Sequence, residues 1–370
     1  MLKLAWRNLV HEPLRLVVSI GGVAMAILLI VLMDGIFAGS EEHAVIYIRN
    51  QPAPLWLMQD GVENMHMSSS ILPPEMIDQV RAVPDVEDAI GVLYANAGIE
   101  IGDALIFSYI FGAPPDAPFG GPWSLVEGTG NPAPNEIVID RVLAERHGLG
   151  VGDTVKVMGF ELTIAGLTEG TFGMATSVTF ANKTAMALLI GVSPQASSYI
   201  LIQPEPDVDI DAVAAAIREA VPDANLLTQN EFDASDREMI RQMGADVIQL
   251  MNVIAYVIGL LVVGITIYTA TLERAREYGV LTAIGASSRQ LLSVVFAQSF
   301  VAAGMGFVVG IVWTYGLVAM MGQVVPEMPV LLEPSRWLRE VPTLVVVAGL
   351  AALLPTGRIL RLDPLVVFKA

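Results

Sequence analysis

Residues 247–272 read VIQLMNVIAYVIGLLVVGITIYTATL, and the chain continues at once with ERAREYGVLTAIGAS over 273–287. The first stretch holds 26 residues without a charge. As an α-helix rising 1.5 Å per residue it is about 39 Å long, more than the ~30 Å hydrocarbon core of a bilayer. The second stretch opens with two acidic and two basic residues in its first five. An apolar run of that length ending in a charged cluster reads as a membrane span emerging into water, and it makes the chain an α-helical membrane protein.

Working outward, three more apolar runs take the same reading. Residues 16–37 carry one charge, Asp34; residues 291–325 carry none; residues 341–357 carry none and are short for a span, but Trp337 and Arg358 flank them as interfacial anchors. A signal peptide is rejected for the first run, because it is longer than an h-region and Ile36 does not suit the small-residue cleavage pattern ending at Ala38. Four transmembrane helices are therefore expected, at 16–38, 247–272, 291–321 and 341–357. They join a cytoplasmic segment at 1–15, a large domain at 39–246, short loops at 273–290 and 322–340, and a tail at 358–370.

Composition supports this class. Of 370 residues, 54% are apolar and 16% charged, with a mean hydropathy of +0.60, whereas soluble domains carry roughly 25% charged residues. The net charge of -18 excludes a nucleic-acid binder, which needs clustered Lys and Arg. The absence of cysteine removes disulfides and thiolate chemistry.

Charge also orients the chain. Segments 1–15, 273–290 and 358–370 carry Lys3, Arg7, Arg15, Arg274, Arg276, Arg289, Arg358, Arg361 and Lys369 against Glu12, Glu273, Glu277 and Asp363. Residues 39–246 carry nine basic and 30 acidic residues. The positive-inside rule places both termini and the 273–290 loop in the cytoplasm, with 39–246 exported.

The exported segment reads as mixed α/β. Residues 73–83 and 207–221 have apolar residues at helical spacing (Met76, Ile77, Val80, Val83; Val213, Ile217, Val221), and both lead into Val-Pro-Asp, at Val83-Pro84-Asp85 and Val221-Pro222-Asp223. Two helix-then-strand units around a central insertion suggest a porter-like α/β subdomain. The insertion, at about 125–190, is β-rich: strands are expected at 136–139 and 154–157, with Met158-Gly159 turning a hairpin. The proline-rich residues 112–135 are expected to be a surface loop.

Catalytic and cofactor motifs are missing. There is no G-x-x-x-x-G-K-[ST] loop, no H-E-x-x-H and no G-x-S-x-G. The four histidines are far apart in sequence, and Met58, Met65 and Met67 read as loop or contact residues rather than soft metal ligands. No cofactor, metal or catalytic residue is expected. Asp34 lies one turn from the outer end of its span and reads as snorkelling to the headgroups. In the third span Gln298, Ala302, Gly306, Gly310 and Thr314 recur every fourth residue, a face suited to close helix packing within the chain.

The cytoplasmic elements carry the functional signal. Leu2, Ala5, Trp6, Leu9 and Val10 share a helix face that suits the lipid of the inner leaflet, before Pro13. In the 273–290 loop, Gly285 can end a helix with a left-handed cap and Ser287 can start the next.

Three stretches, ERAREYGVLTAIGAS, AQSFVAAGMGFVVG and PTGRILRLDPLVVFK, resemble the FtsX/MacB-type permease domain of ABC transporters. EIVIDRVLAERHGLGVGDTVKV resembles the extracytoplasmic domain of that family. The whole is similar to the short, separately encoded permeases of the DevC type. The resemblance implies a permease subunit of an ATP-driven exporter that relays ATPase motion across the membrane by mechanotransmission. It implies a separate ABC ATPase subunit and a second permease subunit, in a homodimer or heterodimer with spans one and two at its seam, and allows for a membrane-fusion protein. Glu273, Arg274, Arg276, Glu277, Tyr278, Gly279, Val280, Ala283, Ile284, Gly285 and Ala286 would then form the ATPase-coupling helix. The alternative is an FtsX-like regulator that activates an extracytoplasmic partner such as a cell-wall hydrolase without transport.

Because the chain has no native cysteine, the topology can be tested by labelling. Single cysteines at Ser40, Ser193 and Ser335 are expected to react with a membrane-impermeant thiol reagent on intact cells, and one at Ser287 only after permeabilisation; labelling of Ser287→Cys from outside refutes the orientation.

Overall fold

A computed structural model describes residues 13–102, 104–173, 177–273, 275–325, 328 and 330–353. The described residues form two compact units, one helical (13–39, 244–325 and 330–353) and one built on a sheet (40–243).

The helical unit follows the apolar runs. Helix α1, Pro13–Ala44, starts at a proline, whose missing N–H costs nothing in a first turn. Helix α7, Gln229–Glu273, continues for 45 residues. It is followed by α8 (Ala275–Ala283), α9 (Ser288–Val324), α10 (Pro334–Trp337) and α11 (Glu340–Leu353). Three of these, α1, α7 and α9, contain stretches long and apolar enough to cross a membrane. The expected fourth span is helical over the 14 residues of α11; its last four positions, the tail, the segment 1–12 and Arg274 lie outside the described residues. Val23, Ile27 and Val31 of α1, Val263 and Ile267 of α7, Leu291 and Val295 of α9, and Ala351 and Ala352 of α11 form one buried cluster. Ser299 of α9 donates to the Ala348 carbonyl of α11 at 2.6 Å.

Asp34 does not reach for headgroups alone. Its carboxylate lies 3.8 Å from the Arg336 guanidinium in α10, and the neighbouring Gly35 carbonyl accepts the Leu331 N–H at 2.9 Å. Tyr256 of α7 donates its hydroxyl to Glu340 of α11. An acidic group near a membrane thus has a partner within the chain, which lowers the cost of holding it there.

The sheet unit contains β1 (Leu55–Gln59), β2 (Val86–Ile101), β3 (Ala104–Ala113), β4 (Leu125–Gly128), β5 (Glu136–Asp140), β6 (Thr154–Val157), β7 (Phe160–Thr168), β8 (Ser177–Asn182), β9 (Tyr199–Pro204) and β10 (Ala224–Thr228). Its helices are α2 (Ile46–Asn50), α3 (Glu75–Arg81), α4 (Arg141–Arg146), α5 (Lys183–Ile190) and α6 (Ile210–Ala220). The strand order is β10-β1-β9-β2-β3-β8-β5-β7-β4, with β6 against β2 and β7. Strand β2 joins the two halves: residues 86–92 pair with β9 and residues 93–101 with β3.

Alternation explains the layers. In β1, Leu55 and Leu57 enter the core under α3 and α6, while Trp56 and Met58 enter an aromatic core on the other face; β9 does the same with Ile200 and Ile202 against Tyr199 and Leu201. Both faces are covered, so LWLM and YILI read as continuous apolar runs. The paired helix-then-strand units meet in this core through Val80, Val83, Val213, Ile217 and Val221. In the β-rich half, β6 and β7 form the Met158-Gly159 hairpin with Val155 opposite Leu162. Buried Asp140 caps α4 by accepting the Val142 N–H at 2.7 Å and also accepts from Thr171 N–H at 2.8 Å. One expectation fails: residues 112–135 are not wholly loop, because β4 lies within them and pairs with β7 as the edge strand of the sheet. All four of its residues are exposed, so no alternation marks it.

Lys183 is buried, and its ammonium donates to Ser197 Oγ at 3.0 Å. Burial, reinforced by the charge of Arg81, lowers its pKa from 10.5 to about 8. Below pH 8 it is charged in both folded and unfolded chains and the full desolvation cost is present. Between pH 8 and 10.5 the unfolded chain holds the extra proton, so stability from this group rises with pH. Lys183→Met is therefore expected to stabilise the protein by about 2 kcal/mol at pH 7 and by much less at pH 10. Denaturant midpoints at the two pH values measure this, and an equal or opposite effect at both contradicts it.

Candidate functional site

Helix α8 lies between two spans, and its two faces differ. Tyr278 and Gly279 are buried, Tyr278 with Leu291 and Val295 of α9 and with Val263 and Ile267 of α7; Leu281 packs partly against the same cluster. On the other face Val280 is 41% and Ile284 76% exposed, with Ala283 exposed between them. Residues i, i+3 and i+4 are neighbours on a helix surface, so these three make one small apolar patch. Arg276, one turn before Val280, and Glu277 are exposed. Glu273 is the last residue of α7.

The helix ends by backbone chemistry. Gly285 has φ +102°, a conformation that penalises any Cβ. Its N–H bonds the Thr282 carbonyl at 3.0 Å and the Ala286 N–H bonds the Leu281 carbonyl at 2.9 Å, the paired bonds of a Schellman cap. Ser287 then takes an extended backbone before α9, and its N–H donates to Gln290 Oε1 at 2.9 Å. The chain reverses within residues 284–287 with these polar groups satisfied, which fixes α8 against the first turn of α9.

Gln298, Ala302, Gly306, Gly310 and Thr314 all lie on the buried side of α9. Gly306 sits over Val23 and the Ile20 carbonyl of α1: a Cβ there would be 2.5 Å from Val23 Cβ. One at Gly310 would be 2.8 Å from both the Ala24 carbonyl oxygen and Ile27 Cβ. The Thr314 hydroxyl donates to the Gly310 carbonyl at 2.8 Å. Helix α1 packs α7 equally closely, with Gly22 over Val262 and Ala26 opposite Gly259.

Among the described residues no group of three or more His, Asp or Glu could hold a metal. His66 Nδ1 lies 2.9 Å from the buried carboxylate of Asp236, which also accepts the Met65 N–H at 3.0 Å. That pair fastens the 62–70 loop to the start of α7. Its members stand 170 residues apart, and no local pattern announces it.

Residues 16–220 match the MacB-like periplasmic core domain and residues 250–364 the FtsX-like permease C-terminal domain. The chain belongs to the FtsX/MacB-type permeases of ABC transporters. An uncharacterised ABC transporter permease of Mycobacterium bovis is 24% identical over 100% of this chain and 99% of its own length. A protein of Staphylococcus haemolyticus named as a hemin transport system permease is 21% identical, covering 98% of both chains. The solved periplasmic region of MacB from Actinobacillus actinomycetemcomitans aligns with 50% of this chain and 92% of that one, at 10% identity and a TM-score of 0.37. The permease is an inner-membrane subunit of an ABC system and is not itself the ATPase.

The glycine contacts of the permease give a paired test. Gly306→Leu, which collides with Val23, is expected to cost about 3 kcal/mol or more and to abolish the monodisperse detergent-solubilised protein. Gly304→Leu, with no atom within 4 Å, should leave yield and melting temperature nearly unchanged. Equal tolerance of both would mean that α9 does not pack on α1 through this face.

Proposed function

We propose that this permease converts nucleotide-driven motion of a separate ABC ATPase into movement of its extracytoplasmic sheet unit, as part of an exporter with both termini in the cytoplasm. The observation that carries the reading is the division of α8. One face buries Tyr278 among residues of α7 and α9, and the other offers Val280, Ala283 and Ile284 to water. A partner seated on the exposed patch would act on the buried face, because close-packed side chains transmit displacement rather than absorb it. Helix α7 leads from the end of β10 to Glu273, next to α8, so the chain itself links the coupling segment to the sheet unit.

Hydrolysis is assigned to the partner subunit, a reading that the missing phosphate-cradling loop supports. A second permease copy is assigned to the exposed apolar line of α7, Leu250, Ile254, Val257 and Leu261, together with α1. The relative whose name speaks of hemin transport supports transport as the end of the relay; the alternative is activation of an extracytoplasmic partner such as a cell-wall hydrolase. A membrane-fusion partner would extend the same relay outward.

In the coupling site, apolar anchors carry binding energy and rim charges tune association. Ala283→Asp places a carboxylate at the centre of the patch and is expected to weaken ATPase docking by about 2–5 kcal/mol, abolishing permease-stimulated ATP hydrolysis. The amount of permease in membranes should be unchanged, and Glu219→Lys on exposed α6 should leave stimulation intact. Full stimulation by a membrane-inserted Ala283→Asp variant rules out α8 as the coupling element.

A further inference from the structure

The proline-rich segment that follows β3 encloses a cavity of about 420 Å³ in the sheet unit, within the range of pockets that take drug-sized molecules. Its wall includes five prolines (Pro52, Pro114, Pro118, Pro122 and Pro132), together with Phe119, Trp123, Leu125 and Phe180. Asp116 is the one charged residue lining it. Asn131 Nδ2 donates to Asp116 Oδ1 at 2.7 Å, which fixes the carboxylate across the mouth of the loop. No lysine, arginine or histidine lines the space, and the surrounding residues 39–246 are strongly acidic.

The cavity is held open rather than formed on demand. Gln51 accepts the Gly120 N–H at 2.7 Å and donates to the Gly121 carbonyl at 3.1 Å. The buried Tyr47 hydroxyl donates to the Gly120 carbonyl at 2.8 Å. Trp123 packs edge-on against Phe180, with ring centroids 5.5 Å apart. Prolines fix their own backbone and lose little entropy on binding. An aromatic wall attracts cations through its ring face, and a carboxylate in a cleft with no compensating base does so through charge. An anion would meet a negative charge with no base beside it, and a neutral apolar molecule would desolvate the carboxylate without offering it a partner.

From this lining we infer that the cavity binds organic cations with an aromatic or otherwise bulky apolar body, seated on Trp123 and paired with Asp116. The site stands on its own geometry. It deepens the export reading by naming a ligand class, but binding needs no ATPase, so failure of coupling leaves it untouched and failure of binding leaves coupling untouched.

The test uses the full chain in phosphatidylcholine nanodiscs and two probes of the same shape and opposite charge, tetraphenylphosphonium and tetraphenylborate. Equilibrium dialysis against empty nanodiscs removes lipid partitioning. Saturable binding of one tetraphenylphosphonium per chain is expected, weakened about tenfold by Asp116→Asn and by at least about tenfold with Trp123→Ala. No saturable tetraphenylborate binding is expected. With 5-fluorotryptophan in place of the five tryptophans, the Trp123 resonance, assigned through Trp123→Phe, should be the one that moves. Uptake equal to that of empty discs, equal affinity for the two probes, unchanged affinity in a folded Asp116→Asn protein, or a shift at another tryptophan each overturns the proposal.

Discussion

Helices in a bilayer gain nothing from hiding apolar side chains from one another, since lipid tails are as apolar as leucine. What holds this helical unit together is the closeness of approach that Gly22, Gly306 and Gly310 allow around α1. The Ile20 and Ala24 carbonyls of α1 thereby come close to the α9 backbone at Gly306 and Gly310, and the Val262 side chain of α7 reaches the α1 backbone at Gly22. Every other element of the unit inherits its position from that contact: α11 through Ser299 and Ala348, and α8 through the cluster that Tyr278 shares with Val263, Ile267, Leu291 and Val295.

That geometry gives the coupling segment its character. A helix of nine residues is far below the length at which isolated helices are stable in water, so α8 exists because its ends are capped and its Tyr278 side is buried. Its water-facing side is free to be apolar without unfolding anything. A short helix with a rigid root and a small greasy face is suited to being held by another protein. It is poorly suited to chemistry, and the charged residues beside it, Arg276 and Glu277, are exposed.

The apolar runs were legible because a bilayer imposes a length and a composition on whatever crosses it, and these survive without knowledge of neighbours. Gly285 and Ser287 were legible because a positive φ and an N-cap are local demands that few residue types meet. The spacing of Gly306 and Gly310 announced a close contact but not its partner, since small residues permit approach from any helix. Strand β4 escaped because an exposed edge strand has no buried face to leave an alternating pattern. Asp34 with Arg336 and His66 with Asp236 escaped for a different reason: each pair joins residues at least 170 positions apart, and charge alone does not choose among 38 acidic residues, 20 lysines and arginines and four histidines. The cation-accepting cavity was hidden in a segment whose prolines announced only irregularity.

The passage of β2 through both halves of the sheet unit has a consequence for how that unit can come apart. Its 16 residues pair with β9 near their start and with β3 near their end, so no hinge of loose chain separates the helix-covered half from the β-rich half. The two cannot melt in sequence without tearing one strand in the middle, where Leu93 and Val92 belong to different cores. The β-rich half is therefore less a module inserted into a loop than an outgrowth of the strand itself. Recombination that swaps such halves between relatives has to cut inside a hydrogen-bonded ladder, whereas exchanges within residues 114–124, between β3 and β4, leave every strand whole.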